Sequence, residues 1–227
     1  MNPVAVALPL SVAGAAGLAW AAWHSSSTAS VLKLGLAGLL VVSEATLLIW
    51  PVLARSWTAS SGLPLQLSDL ATFIMIAALA WNRSRRLAGV AYLLAVPSAL
   101  LALSFPAPGA IPPSPLYFAF WVDHASLLAG ATVIGAARPG PDVGWGMVVL
   151  AWVATTALAS ADGLVNMATG GDYMFLRSPP PGWDPLRIMG PWPVYVVAGF
   201  LVCPLLLAAV AWPALALQGT RRSAVGP

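Results

Sequence analysis

Seven apolar runs divide the chain, and short polar or Pro- and Gly-rich stretches separate them. Each run is close to the ~20 residues that an α-helix needs to cross the hydrocarbon core of a bilayer. None shows the alternation over about ten residues that is typical of a transmembrane barrel strand. The pattern predicts an all-α, polytopic membrane helical bundle of about seven helices, at residues 4–23, 31–54, 64–81, 87–105, 116–137, 143–165 and 191–216.

The composition agrees with this prediction. Of the 227 residues, 59% are hydrophobic and 7% are charged, and the mean hydropathy is +0.86. So little polar surface cannot cover a water-soluble globule of this size. The single cysteine, Cys203, allows no internal disulfide and no cysteine-based metal cluster, and no repeat or linker divides the chain. We therefore expect one transmembrane domain over residues 1–227.

The distribution of basic residues predicts how the bundle lies in the membrane. If successive loops alternate between the two sides, one side carries Lys33, Arg83, Arg85, Arg86, Arg138, Arg221 and Arg222, and the other carries Arg55, Arg177 and Arg187. Since Lys and Arg favour the cytoplasmic side, the N-terminus is predicted outside and the C-terminus in the cytoplasm. Orientation also accounts for the net charge of +3, so no nucleic-acid partner is expected.

The longest connection, at about residues 166–190, is predicted to be an extracytoplasmic capping loop. It leads into the last helix as "GDYMFLRSPPPGWDPLRIMGPWPVY", which is rich in Pro, Gly and aromatic residues. Proline lowers the entropy that a loop loses when it becomes ordered, and aromatic rings supply contact area. We expect Tyr173, Phe175 and Trp192 to fold this loop onto the helix ends near Asn166.

Five ionisable residues lie inside the predicted helices: Glu44, Asp69, Asp123, His124 and Asp162. An Asp at the centre of a bilayer costs about 2.5–3.5 kcal/mol on insertion scales, so such residues indicate function by default. The predicted helix directions place all five in the outer half, under the capping loop. The sequence therefore predicts a polar cavity there. The alternative is a packing network, in which such groups stabilise helix pairs by about 0.6 kcal/mol each.

His124 is the candidate general base, because an imidazole titrates near neutral pH. A metal site is disfavoured, since the other histidine, His24, lies at the far end of the first helix, and no metal or other cofactor is predicted. A seven-helix count with an outside N-terminus is also found in rhodopsins. The last helix, however, has no Lys for a retinal Schiff base.

Five stretches between residues 41 and 195 form a specific combination. They are "VVSEATLLIW" (41–50), "LPLQLSDL" (63–70), "FWVDHASLL" (120–128), "NMATGGDYMFLRSPP" (166–180) and "LRIMGPWPVY" (186–195). In this order they resemble the YwaF-type bacterial integral membrane proteins, a family related to transmembrane protein 164, a glycerophospholipid acyltransferase. The resemblance implies a polytopic fold and a multi-pass location in the cell membrane, here the bacterial inner membrane.

For the acyltransferase branch, the resemblance also implies a Cys nucleophile and a His. The His falls on His124, but the Cys position is occupied by Ser68. A hydroxyl is a weaker nucleophile than a partly ionised thiol and needs a base held against it. The chain departs from the family again at Asp172, where an Asn usually precedes the Tyr.

Three functional hypotheses remain. In the first, the protein is an intramembrane lipid acyltransferase or ester hydrolase acting on an acyl-lipid of the membrane, with Ser68 as nucleophile and His124 as base. Asp69, Asp123 or Asp162 would orient the imidazole. The predicted substrate contacts are Glu44, Gln66, Asn166, Tyr173, Trp192 and Tyr195. In the second, the same cavity binds or transports a lipid or small solute without a covalent step, and the third is a role as an assembly partner.

The predicted orientation can be tested by cysteine scanning with a membrane-impermeant thiol reagent in intact cells. A cysteine at Ser178 should react, because the loop faces outward, and a cysteine at Ser84 should not, because it faces the cytoplasm. The reverse pattern would show that the bundle is inserted the other way round.

Overall fold

The computed structural model describes residues 3–81, 84–107, 109–138, 140–180 and 184–223. These residues form seven α-helices and no strand, which confirms the predicted all-α class. The helices are α1 (Pro3–His24), α2 (Ser26–Leu53), α3 (Leu67–Ala80), α4 (Arg85–Ser104), α5 (Pro115–Ala136), α6 (Trp145–Thr169) and α7 (Val194–Ser223). Two short 3-10 helices, Tyr173–Phe175 and Pro185–Met189, lie between α6 and α7.

Six of the seven helices are long and apolar enough to cross a membrane. The exception is α3, which has 14 residues. At 1.5 Å per residue it is about 21 Å long, shorter than a hydrocarbon core of about 30 Å. The sequence predicted a span over 64–81, but the helix begins only at Leu67. Gln66 has extended backbone (φ −76°, ψ 154°) and its amide bonds to the Asp69 side chain, so it caps the helix and fixes its start at Leu67.

Contacts between the connections fix the directions of the helices. The Arg138 guanidinium, just after α5, stacks on the ring of Trp23 near the end of α1, 4.4 Å from its centroid. The Asp142 amide, just before α6, donates to the Arg85 carbonyl at the start of α4, at 2.9 Å. All of these residues therefore lie at one end of the bundle. The other end carries residues 54–66 and 170–180, and we call it the loop end.

Residues 54–66 connect the end of α2, at the loop end, to the short helix α3. They form an irregular segment in which residues 54–59, 61 and 64 are exposed. Because α4 starts at the opposite end, α3 carries the chain from the loop end towards that end. Irregular backbone in contact with a membrane needs protein or water as partners for its polar groups. The hydrogen bonds that this segment makes to protein therefore contribute to the stability of the loop end.

Helix α5 is the most buried of the candidate spans and packs against α1, α2, α3 and α4. Its Leu127 and Val133 are fully buried, as are Leu40 of α2, Met75 of α3 and Leu93 of α4. A proline at its first position and a Ser114 hydroxyl that accepts from the Leu116 amide, at 3.3 Å, start the helix. This start sets which side of α5 carries its polar residues.

The junction between residue 171 and the irregular segment is tightly packed. A Cβ added at Gly171 would lie 2.7 Å from the Ser60 carbonyl oxygen, whereas a Cβ at Gly163 of α6 would meet nothing within 4 Å. We expect Gly171→Ala to lower the free energy of unfolding by about 1–3 kcal/mol through overpacking. Gly163→Ala should leave it unchanged or raise it, since alanine favours helix.

The measurement is the thermal unfolding midpoint of each purified variant in the same detergent. Equal midpoints for the Gly171→Ala and Gly163→Ala proteins would show that the loop does not pack against residue 60 as described.

Candidate functional site

Four carboxyl groups from four helices form one group towards the loop end, which we call the acidic cluster: Glu44 of α2, Asp69 of α3, Asp123 of α5 and Asp162 of α6. Glu44, Asp123 and Asp162 are buried, and Asp69 is half-buried. Acidic residues that are scattered through the sequence thus lie on four helices in the same half of the bundle.

Asp123 is hydrogen-bonded on both of its oxygens. The Ser43 hydroxyl of α2 donates to Oδ1 at 3.0 Å, and the Thr72 hydroxyl of α3 donates to Oδ2 at 3.2 Å. Asp123 therefore joins three helices. The two hydroxyls also give it the hydrogen bonds that a buried carboxylate needs in order to be stable. Sequence reasoning missed Ser43 and Thr72. Ser43 precedes Glu44, and Thr72 lies one turn after Ser68, so helical spacing could have indicated both.

His124 is buried and held in one orientation. Its Nδ1 lies 2.8 Å from the Phe120 carbonyl oxygen, and its ring packs on the Phe120 ring with centroids 4.4 Å apart. A carbonyl oxygen can only accept, so Nδ1 carries a proton and Nε2 bears the lone pair of the neutral imidazole. The Oδ2 atom of Asp123 is 4.0 Å from Nδ1. This distance is too long for a hydrogen bond between the two side chains.

Ser68 lies in the first turn of α3, next to Asp69. In the described part of the chain, Ser68 and His124 do not hydrogen-bond to each other. Ser68 precedes Thr72 by four residues and so shares its helix face. Since Thr72 bonds to Asp123, Ser68 lies about one turn from Asp123 towards the loop end.

Asp69 and Gln66 shape the start of α3. The Gln66 amide donates to Asp69 Oδ2 at 2.8 Å, as in the return bond of a capping box. An acid in the first turn is also stabilised by the positive end of the helix dipole. The Gln66 side-chain oxygen accepts from the Met174 amide at 3.0 Å. The side chain that was predicted to contact substrate therefore holds the loop against α3.

Asn166 and Tyr173 connect the end of α6 to the irregular segment. The Asn166 side chain donates to the Tyr173 carbonyl at 3.0 Å and accepts from its amide at 2.8 Å. The Tyr173 hydroxyl donates to the Ala59 carbonyl at 2.9 Å and accepts from the Leu63 amide at 3.0 Å. Tyr173 is 2% exposed. One side chain thus satisfies two backbone groups of residues 54–66.

The other two aromatic residues that were predicted to contact substrate also hold the loop. The Tyr195 hydroxyl donates to the Phe175 carbonyl at 2.6 Å, and Trp192 Nε1 donates to the Leu176 carbonyl at 3.0 Å. Met174 and Phe175 have left-handed φ angles of 54° and 53°. Such backbone persists only where the surroundings hold it in place, and these hydrogen bonds do so.

Three buried polar groups are left over after this network is complete. Among the described residues, both carboxylate oxygens of Glu44 and of Asp162 lack a hydrogen-bond partner, and so does Nε1 of Trp121. Buried polar groups are rarely left unpaired in proteins, so each exception calls for an explanation. In the same described residues, no three His, Cys, Asp or Glu side chains lie close enough to hold a metal ion together.

The fold and its six apolar helices define a multi-pass, helical membrane protein. Its sequence matches the model of the TMEM164 family over residues 3–210, so the chain belongs to the TMEM164 family. The predicted relation to transmembrane protein 164 is thereby confirmed, and the YwaF-type subgroup stays a prediction. Comparison with curated proteins and with solved structures gives no significant match.

Tyr173→Phe tests whether the Tyr173 hydroxyl stabilises the loop end. The change removes one hydroxyl and leaves the Leu63 amide and the Ala59 carbonyl without a partner, so we expect a loss of about 1–3 kcal/mol in the free energy of unfolding. External protease should also cleave the 170–180 loop faster. The matched control is Tyr117→Phe, because the half-buried Tyr117 hydroxyl makes no hydrogen bond among the described residues. Equal unfolding midpoints for the two variants would contradict this role.

Proposed function

We propose that the protein is an intramembrane lipid acyltransferase or ester hydrolase, with His124 as general base and Ser68 as nucleophile. The observation that carries the proposal is the orientation of His124. Its Nδ1 is fixed on the Phe120 carbonyl, so Nε2 is the nitrogen that can take a proton. A buried carboxylate, Asp123, lies beside the ring and favours the imidazolium that proton transfer creates.

The reaction follows from these roles. The Ser68 oxygen attacks the carbonyl carbon of a lipid ester while Nε2 of His124 takes its proton. The ester C–O bond then breaks, the leaving alkoxide receives that proton, and an acyl-serine remains. A second alcohol attacks the acyl-serine in acyl transfer, and water does so in hydrolysis. In both cases Ser68 is released, and no oxidant or metal takes part.

The position of Ser68 supports its role in two respects. It lies in the first turn of α3, where backbone N–H groups lack helical acceptors and the helix dipole favours negative charge. An oxyanion formed near this turn would be stabilised. The hydroxyl must come within hydrogen-bond distance of His124 before it reacts. Catalytic hydrogen bonds often form only once substrate is bound.

Family membership supports lipid ester chemistry independently, because the resemblance implies a Cys nucleophile and a His in the acyltransferase branch. The substitution of that Cys by Ser68 lowers the expected reactivity. A membrane lipid is the natural substrate class, since residues 54–66 and the acidic cluster belong to a bundle whose helices are surrounded by lipid.

A second function, binding or transport of a lipid or small solute without a covalent step, is favoured by one observation. Among the described residues, the Ser68 hydroxyl makes no hydrogen bond to His124. Serine hydroxyls in helices often bond locally without reacting.

Labelling with a serine-reactive fluorophosphonate in native membranes separates the two functions. We expect the wild-type protein to be labelled, Ser68→Ala to lose the label, and His124→Gln to react about 10²–10⁴ times more slowly, as for loss of a general base. Ser68→Cys should become reactive towards iodoacetamide in a manner that depends on His124.

The matched control is Ser160→Ala, because Ser160 is an exposed hydroxyl on α6 that bonds only to the Thr156 carbonyl. It should keep the label. If Ser68→Ala labels like wild type, or if a folded Ser68→Cys protein stays unreactive, the non-covalent function replaces the catalytic one.

A further inference from the structure

Helices α3 and α5 run in the same direction and pack against each other in a fixed register. Both start at the loop end, because α3 follows residues 54–66 and because the residue after α5 stacks on the far end of α1. The Thr72 hydroxyl donates to Asp123 Oδ2 at 3.2 Å. Seven positions further along both helices, a Cβ added at Gly130 would lie 3.4 Å from Leu79 Cδ1. The two helices therefore stay level with each other over about two turns.

This register brings Ser68 level with the turn of α5 that holds the imidazole. Ser68 precedes Thr72 by four residues, so it lies about 6 Å nearer the loop end on the same face of α3. On α5, Phe120 lies about one turn before Asp123, and its carbonyl accepts from Nδ1 of His124 at 2.8 Å. Side chains in an α-helix tilt towards its N-terminus. The imidazole therefore extends from its own Cα towards the level of Ser68.

One oxygen of Asp123 lies between α3 and the imidazole. Oδ2 accepts from the Thr72 hydroxyl at 3.2 Å and lies 4.0 Å from Nδ1 of His124. The other oxygen, Oδ1, accepts from the Ser43 hydroxyl of α2 at 3.0 Å. Thr72 is 0% exposed and Asp123 is 1% exposed. The carboxylate is thus held from two helices, and its side towards α3 is the side next to the ring.

The Thr72 hydrogen bond restricts the sliding of α3 along α5 more than the apolar contacts do. A hydrogen bond weakens steeply when its angle or distance changes. The apolar contact at Gly130 includes Met75 Sδ, at 3.2 Å from an added Cβ, and methionine adapts readily to a changed gap. Without the hydroxyl, Oδ2 would stay buried and lose this donor. Such a site favours any small shift of α3 that provides another donor.

We propose that Thr72 is a positioning residue for acyl transfer, because its bond to Asp123 sets the height of α3 at which Ser68 reaches the imidazole. The inference rests on the proposed roles of Ser68 and His124. Thr72 acts through the helix that it shares with Ser68 and not on the ester itself. A misplacement of about 1 Å between reacting groups can lower a rate by about 10²-fold.

The rate of fluorophosphonate labelling of the purified, full-length protein, measured at several reagent concentrations, tests this role. Thr72→Val removes the hydroxyl and nearly keeps the shape of the side chain. We expect its maximal labelling rate constant to fall by about 10–100-fold, because Ser68 no longer meets His124 in the reactive geometry. The reagent concentration at half-maximal rate should stay unchanged. A partly unfolded protein would instead show a smaller labelled amount.

Ser43→Ala is the matched control, because it removes the other hydroxyl that donates to Asp123. Each variant leaves the carboxylate with one of its two hydroxyl donors, but Ser43 lies on α2 and not on the helix of Ser68. Ser43→Ala should therefore slow labelling at least about tenfold less than Thr72→Val. Thr72→Ser keeps the hydroxyl and should recover most of the wild-type rate constant.

Thermal unfolding midpoints separate positioning from stability. Thr72→Val and Ser43→Ala each lose one hydrogen bond to the same buried carboxylate, so their midpoints should fall by similar amounts. A difference between their labelling rates then cannot come from stability. If Thr72→Val does not fold, Thr72→Cys takes its place in the comparison, because a thiol is a weaker donor of similar size.

Equal rate constants for the Thr72→Val and Ser43→Ala proteins would overturn the positioning role, and so would a Thr72→Ser protein as slow as Thr72→Val. In both cases the wild-type protein is still labelled at Ser68, and the acyl-transfer proposal stands. Absence of Ser68-dependent label from the wild-type protein overturns both proposals. The label on the wild-type protein thus distinguishes the two failures.

Discussion

Hydrogen bonds between residues 54–66 and the loop after α6 hold the loop end of the bundle together. Helix α3 has 14 residues, too few to cross a membrane alone, and irregular backbone precedes it. Backbone groups in contact with lipid cannot find hydrogen-bond partners there. Tyr173 bonds to residues 59 and 63, and Gln66 bonds to Met174. The loop therefore stabilises the bundle in addition to covering one of its ends.

The hydrogen bonds at the loop end divide the described polar residues into those that have partners and those that have none. Asp123, Asn166 and Gln66 are fully used in joining helices or holding the loop. Glu44 and Asp162 are buried and have no hydrogen-bond partner in the part of the chain that the structure describes. A buried carboxyl without a hydrogen-bond partner lowers the stability of the fold. A functional role therefore explains the second group better than it explains the first. The division follows from contacts and could not be made by residue type.

The sequence alone determined that the chain is a helical membrane protein and where six of its spans lie, because hydropathy measures how favourably each side chain transfers from water into lipid. It also determined which family the chain resembles, because the motifs that carry the resemblance are short stretches of sequence. It also indicated the five ionisable residues of the site. The tertiary structure decided that α3 begins only at Leu67, although the apolar pattern continues before it, since backbone partners set that boundary. It also decided that Asp123 bonds to Ser43 and Thr72, whereas Glu44 has no hydrogen-bond partner among the described residues. Those outcomes depend on the rotation and relative height of packed helices, which no single-chain pattern records.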